Sequence, residues 1–322
     1  FFLIKLGIIV DRGTGVLSSL ERRNKMEYNL IEENDKIIIK DIKDFEPKHI
    51  FECGQCFRWY VEDDGSYTTI HHGKVLNVKK EGKDIIFTNT NKLDFENIWY
   101  DYFDLGTDYR KIKEELSKDP ILGEAIKFGE GIRILNQDPF ETTISFIISA
   151  NNQIPRIKKS IELISGGYGK PIGRYNGREY FSFPEAEVLA RVEEKELQEN
   201  RKVGFRAKYI VNSSKMIDEG EVDIEKLLDL STNEAKEILM KLPGVGPKVS
   251  DCILLFSLNK KDAFPIDVWV KRVMEHFYLK EDTKLKDISI YAHEKFGELA
   301  GIAQQYLFYY ARELGIGSKK KK

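Results

Sequence analysis

Hydrophobic residues change rhythm once along this chain. From Met26 to about Asn91 they come in short runs rich in β-branched and aromatic residues, at 36–42, 57–60, 66–70, 75–78 and 84–88. Between the runs stand the turn signals Asp63-Asp64-Gly65, His72-Gly73 and Glu81-Gly82. Short strands joined by such turns predict an antiparallel sheet. Beyond it, apolar residues recur at helical spacing to the end, apart from a loop-like stretch at 166–184. The predicted class is α+β, with an N-terminal antiparallel β domain at 26–125 and a mostly α-helical body at 126–318. No internal repeat is seen.

Several helix starts are marked by their chemistry. Asp138-Pro139-Phe140-Glu141 places an N-cap, a proline at the first helical position and a glutamate at the third before an apolar run. That run ends at Ala150-Asn151-Asn152, and Pro155 opens another helix. Ser231 and Glu234 form a capping box ahead of a stripe of Ala235, Ile238, Leu239 and Leu242.

Composition narrows the class. The chain has 322 residues, 41% of them hydrophobic, which suits globular domains with real cores. No stretch approaches the ~20 apolar residues of a membrane helix, so no membrane association is expected. Residues 1–25 open on Phe and are set apart as a non-native or disordered leader; 319–322 form a basic tail. The net charge of −2 argues mildly against a nucleic-acid partner, although a groove needs only local positive charge. The three cysteines make no disulfide framework, and a reducing cytoplasm is expected. The absence of an organelle signal points to a prokaryote.

The informative segment is Leu242-Pro243-Gly244-Val245-Gly246-Pro247-Lys248. It lies between two helical stripes, the second being Val249, Cys252, Ile253 and Phe256, so a helix-hairpin-helix is predicted at about 234–258. Gly244, Gly246 and their flanking prolines force a tight turn. The turn leaves the first amides of the next helix open to a phosphate, which is backbone binding without sequence reading. Further on comes Phe264-Pro265-Ile266-Asp267-Val268-Trp269, where Asp267 is an N-cap before Val270, Val273, Met274 and Phe277. Breaking an N-glycosidic bond builds positive charge on the sugar, which a fixed carboxylate stabilises. A lysine amine in its neutral form is a nucleophile for the same carbon, and the imine that follows opens β-elimination. Each feature alone has a plain structural reading, as a turn, a solvated lysine or a cap. Together, in this order, they point to Lys248 and Asp267 as a catalytic pair.

In these motifs the chain resembles the 8-oxoguanine DNA glycosylase/lyase family of the helix-hairpin-helix glycosylase superfamily. The segments that carry the likeness are Cys53-Gly54-Gln55-Cys56-Phe57-Arg58-Trp59, Asn151-Asn152-Gln153-Ile154-Pro155-Arg156, Gly204-Phe205-Arg206-Ala207-Lys208-Tyr209, the hairpin through Trp269, and Ile302-Ala303-Gln304-Gln305-Tyr306-Leu307-Phe308. The resemblance implies a DNA repair enzyme, a bifunctional N-glycosylase and AP lyase of base excision repair. Lys248 would be the Schiff-base nucleophile and Asp267 its partner. Gly54 would offer its carbonyl to N7–H of the oxidised base. Normal guanine has an acceptor there, and leaving such a buried pair unmade costs about 1–3 kcal/mol.

Cys252 and Phe308 would hold the flipped base between them, and Gln304 would read its Watson–Crick edge. Cys252 follows Lys248, and Phe308 follows Gln304, by one helical turn. Asn151, Arg156 and Arg206 would hold the cytosine left in the duplex, and Phe205 would be the wedge beside the lesion. Trp269 departs from the family pattern, where the position is often histidine and contacts the neighbouring phosphate. An indole donates one hydrogen bond and carries no charge.

The implied partner is double-stranded DNA containing oxidised guanine, and a monomer is expected. No cofactor and no metal are called for. Cys53 and Cys56 have the spacing of a redox or metal pair. A strand rather than a helix is expected to follow them, only His71 and His72 are near as further ligands, and an iron–sulfur cluster needs four cysteines. Two other functions compete. One is a helix-hairpin-helix glycosylase for alkylated bases, whose members generally lack the hairpin lysine. The other is a non-catalytic DNA-binding module, which gains nothing from Lys248 and a spaced Asp267 together.

Overall fold

The computed structural model describes residues 26 and 28–316; the leader and the basic tail lie outside the described residues. Six strands form one antiparallel sheet in the order β1-β2-β6-β5-β4-β3. They are β1 (Leu30–Glu33), β2 (Lys36–Ile39), β3 (Trp59–Val61), β4 (Tyr67–His71), β5 (Lys74–Glu81) and β6 (Asp84–Thr88). Alternation sets the buried face: Ile37 and Ile39 of β2 and Ile85 and Phe87 of β6 point inward, with Ile38 and Ile86 between them on the other side. Onto that face pack Ile50 and Phe51 of α1 (Pro47–Glu52) and Phe95, Trp99 and Phe103. Phe95 and Trp99 belong to a π-helical turn (Phe95–Trp99) that follows α2 (Lys92–Asp94), and Phe103 directly follows α3 (Tyr100–Tyr102).

Two elements of this domain differ from expectation. Helix α1 interrupts the predicted run of strands; it is six residues long, too short to display a helical period. Strand β1 is exposed at all four residues, so no alternation marks it.

The helical body follows, with α4 (Tyr109–Leu116), α5 (Pro120–Phe128), α6 (Pro139–Ser149), α7 (Ile154–Tyr168), α8 (Ala186–Ala190), α9 (Glu194–Asn200), α10 (Ala207–Asp218), α11 (Thr232–Leu239), α12 (Pro247–Ser257), α13 (Val268–Phe277), α14 (Leu285–Phe296) and α15 (Ala300–Leu314). The caps fall where the chemistry places them. Asp138 accepts from the Glu141 amide at 2.7 Å, and Ser231 and Glu234 make the reciprocal capping box. Helix α12 is the centre of the body and is buried from Val249 to Ser257, where a single apolar stripe is predicted. A helix enclosed on every side has no polar face to keep.

The stretch at 166–184 is not a loop. Helix α7 runs to Tyr168, and β7 (Pro171–Tyr175) pairs with β8 (Arg178–Phe181). Asn176 and Gly177 form the turn with positive φ at both positions, the conformation Asn-Gly favours in a hairpin. Tyr180 then packs with Ile70 and Val75 against the outer face of the main sheet. The hairpin thus ties the body to the sheet. Among the described residues no helix is long and apolar enough to cross a membrane.

Candidate active site

The hairpin is held by close backbone approach. Gly244 sits at φ +83°, and a Cβ there would lie 2.9 Å from Tyr209 Cβ on α10. The Pro243 carbonyl accepts from Ser213 Oγ of the same helix at 2.8 Å, and Val245 is buried beneath the turn. Gly246 is the N-cap of α12 and has no side chain to cap it. The opening amides of α12 after Pro247 are therefore available to a ligand.

Lys248 is the second residue of α12 and half-buried, with Nζ 5.0 Å from the ring centre of Phe146. One turn on, the Cys252 thiol is buried, and burial pushes its pKa up to about 11. The positive charge of Lys248 works against that shift, while the carboxylates of Asp251 and Asp267 add to it. Lys248 and Asp267 therefore both act on that thiol through their charge. Asp267 caps α13, its Oδ1 accepting from the Val270 amide at 2.8 Å. The loop that delivers it is clamped to α15, where Gly301 donates to the Lys261 carbonyl at 2.8 Å and a Cβ would collide with the Ala263 carbonyl.

The other half of the site is the turn after α1. Gly54 has φ +86°, and a Cβ there would meet Phe308 Cε1 at 3.1 Å and Arg312 Nη1 at 3.2 Å. Gln55, fully buried, pins this turn. Its Nε2 donates to the Ile50 and Arg133 carbonyls at 2.9 and 2.8 Å, and its Oε1 accepts from the Leu135 amide at 2.9 Å. Gln305 Nε2 donates to the Cys53 carbonyl at 2.6 Å. Gln55 and Gln305 are structural staples that sequence reasoning quoted within motifs but gave no role. Their signal is burial, which a sequence does not display. Cys53 and Cys56 are free and buried, and burial raises both thiols, Cys53 to about 11. A thiol held protonated is a poor redox nucleophile.

Gln304 is buried, and its Oε1 has no hydrogen-bond partner among the described residues. Phe308 lies one turn beyond it, half-buried. An edge contact from Phe57 to Phe146, at 5.4 Å, joins the Gly54 turn to the ring beneath Lys248.

A third group gathers at the end of α6. Asn151 is exposed at φ +50°, Arg156 is exposed on the first turn of α7, and Phe205 stands 57% exposed. Arg206 differs from the open guanidinium that base contact suggests. It is buried, donating through Nε to the Ala150 carbonyl at 3.1 Å and through Nη2 to the Asn151 carbonyl at 3.1 Å. It binds the backbone that presents Asn151.

Trp269 is half-buried, with the Arg272 guanidinium 5.3 Å from its ring centre. Beside them a groove of about 810 Å³ runs past Asp267, Lys271, Arg272 and His276. A cleft of about 780 Å³ lies elsewhere, between Arg58, Glu141 and Phe183, and no predicted site residue lines it.

Comparison with known proteins agrees with this architecture. Residues 37–143 match the model of the 8-oxoguanine DNA glycosylase N-terminal domain, and 144–298 that of the HhH-GPD superfamily of base excision DNA repair proteins. A probable N-glycosylase/DNA lyase of Methanothermobacter thermautotrophicus is 35% identical over 62% of this chain and 69% of its own length. The N-glycosylase/DNA lyase of Arabidopsis thaliana is 34% identical over 80% of this chain and 75% of its own. A crystal structure of the Clostridium acetobutylicum 8-oxoguanine glycosylase/lyase, bound to double-stranded DNA with cytosine opposite 8-oxoguanine, superposes with a TM-score of 0.88. It is 49% identical and covers 90% of this chain and 100% of that one. With two domain models matched in order and relatives matched along most of their own length, this chain belongs to the 8-oxoguanine DNA glycosylase/lyase family of the helix-hairpin-helix superfamily.

Proposed function

We propose that this protein removes 8-oxoguanine from duplex DNA and then cuts the strand at the sugar left behind, with Lys248 as nucleophile. The observation that carries the reading is that Lys248 opens α12 directly after the Gly244–Pro247 turn while Asp267 caps the next helix, α13, in a chain of this family. The Lys248 ammonium gives up a proton to solvent, and the free amine attacks C1′ of the flipped nucleotide. The bond from C1′ to the base breaks, the base leaves with its electron pair, and it takes up a proton. The Asp267 carboxylate stabilises the positive charge that builds on the sugar. Ring opening gives an imine between Nζ and C1′. A proton then leaves C2′, and the 3′ phosphate departs by β-elimination. Water hydrolyses the imine and frees Lys248.

Base choice follows from the groups around this centre. The Gly54 carbonyl accepts from N7–H, which only the oxidised base possesses. The buried Oε1 of Gln304, lacking a partner among the described residues, suits the N1–H and amino donors of guanine's Watson–Crick edge. Cys252 and Phe308 take the two faces of the ring. Asn151, Arg156 and Arg206 attend the orphaned cytosine, with Arg206 freed from the Ala150 carbonyl when DNA arrives, and Phe205 fills the gap. The Gly244–Gly246 turn and the Trp269 indole bind the backbone phosphates. The protein works as a monomer, and its buried free cysteines suit a reducing prokaryotic cytoplasm, at the nucleoid.

Borohydride trapping tests the reading. Duplex carrying 8-oxoguanine opposite cytosine should yield a covalent protein–DNA adduct that disappears in Lys248→Gln. An unmutated protein that gives no adduct ends the lyase assignment.

A further inference from the structure

Gln304, Phe308 and Arg312 follow one another at four-residue intervals on α15, so they share a face, and that face meets the Gly54 turn. Arg312 lies beyond the family motif, which ends at Phe308. Its guanidinium is mostly committed: Nη2 donates to the Glu52 carbonyl at 2.6 Å and to Glu313 Oε1 at 2.7 Å, and Nε donates to the same carboxylate at 3.0 Å. Nη1 is different. It is buried, has no partner among the described residues, and lies 3.2 Å from where a Gly54 Cβ would be. The guanidinium carbon is 5.3 Å from the Phe308 ring centre. A buried charged donor without an acceptor is unfavourable unless something fills the position. Gln304 Oε1, the unpaired acceptor, sits two turns back on the same face. One orphan donor and one orphan acceptor therefore flank the ring of Phe308.

We propose that Arg312 is a base-binding residue whose Nη1–H donates to a carbonyl oxygen of the flipped oxidised purine. This rests on the base-excision reading above. With the Gly54 carbonyl taking N7–H, the groups on either side of N7 are O6 and O8, both acceptors. A donor fixed beside Gly54 meets one of them. Glu52 and Glu313 hold the guanidinium plane so that Nη1 stays directed at that edge. The pocket then reads the oxidised edge with an acceptor and a donor side by side, a pairing that unmodified guanine meets with a mismatched N7.

The test compares a substrate that has a base with one that lacks it. Arg312→Met should slow excision from an 8-oxoguanine·cytosine duplex roughly ten- to a hundredfold, the loss of one charge-assisted hydrogen bond. Cleavage of an abasic site opposite cytosine, where no base enters the pocket, should change less than threefold. Arg312→Lys, which keeps a cation and a donor, should recover part of the ratio between the two rates. If Arg312→Met does not fold, Arg312→Leu, which also has no donor, stands in as the test variant, and a ratio equal to that of the unmutated protein would then overturn the proposal. An 8-oxoadenine duplex separates the contacts: equal losses on both bases assign O8, and a loss confined to 8-oxoguanine assigns O6. Equal losses on abasic and oxidised duplex would make Arg312 a mere pin for the turn and overturn the proposal, as would undiminished excision. Borohydride trapping of the unmutated protein on the same duplex keeps the outcomes apart. No adduct there defeats the lyase reading itself, whereas a normal adduct with indifferent Arg312→Met defeats only this assignment.

Discussion

The lysine side and the base side of this site are assembled in contrasting ways. Lys248, Cys252 and Asp267 lie in consecutive elements, α12 and the start of α13, and helix starts and a glycine turn aim them. The Gly54 turn has no such local logic. It is held by Gln305 and Arg312, which reach it across 252 and 260 positions of sequence, and it touches Phe308 of the same distant helix. Backbone geometry thus places the groups proposed to react, whereas long-range burial places the groups proposed to recognise the base. The two halves should therefore fail differently when changed. Damage on the first side removes chemistry and spares recognition; damage on the second removes recognition and spares chemistry on a substrate without a base.

The largest expected difference comes from Asp267→Asn. Asparagine still accepts from the Val270 amide, so the cap and α13 remain. Base release should slow by orders of magnitude while affinity for lesion DNA, measured by titration, stays near that of the unmutated protein. Affinity that collapses with the rate would reduce Asp267 to a structural cap.

Gly54→Ala tests the other half. The residue sits at φ +86° and the new methyl presses on Phe308 and Arg312, so the carbonyl must turn or the ring must move. Excision of 8-oxoguanine should fall about tenfold or more, and abasic-site cleavage far less, in parallel single-turnover assays. A parallel fall in both would mean the turn supports the fold rather than selects the base.

A smaller and pH-dependent effect belongs to the hairpin's own brace. Asp251 of α12 is paired with Lys236 of α11 at 2.7 Å, and burial lifts its carboxyl to about 6 despite that lysine. A carboxyl with a raised folded-state pKa binds its proton more tightly folded than unfolded. Its contribution to stability therefore falls as pH rises from about 4 to about 6, and the deficit is complete above that. Removing the lysine should deepen the deficit where the carboxyl is ionised. Lys236→Met should accordingly lower the melting temperature more at pH 8 than at pH 5, by about 1–3 kcal/mol of stability at the higher pH. Equal losses at both would show that Lys236 contributes packing and not charge.

What could be read from the chain alone has a common physical character. Asp138, Ser231 and Asp267 are caps because they satisfy amides within three residues, and the Gly244–Pro247 turn follows from backbone conformations available only there. The buried strands of the sheet announced themselves as β-branched and aromatic runs between turn signals, and β1, exposed throughout, did not. The hairpin of β7 and β8 was legible in Asn176-Gly177 but obscured by the glycines around it. Sequence order and local hydrogen-bond demand thus determined the class, the helix starts and the positions of Lys248 and Asp267 at the heads of α12 and α13. Tertiary structure alone decided that Gln55 staples the turn, that Arg206 spends its donors on the Ala150 and Asn151 carbonyls, and that Arg312 arrives beside Gly54 with Nη1 unpaired among the described residues. Those facts depend on which polar groups are taken out of water together, and no residue's neighbours along the chain specify that.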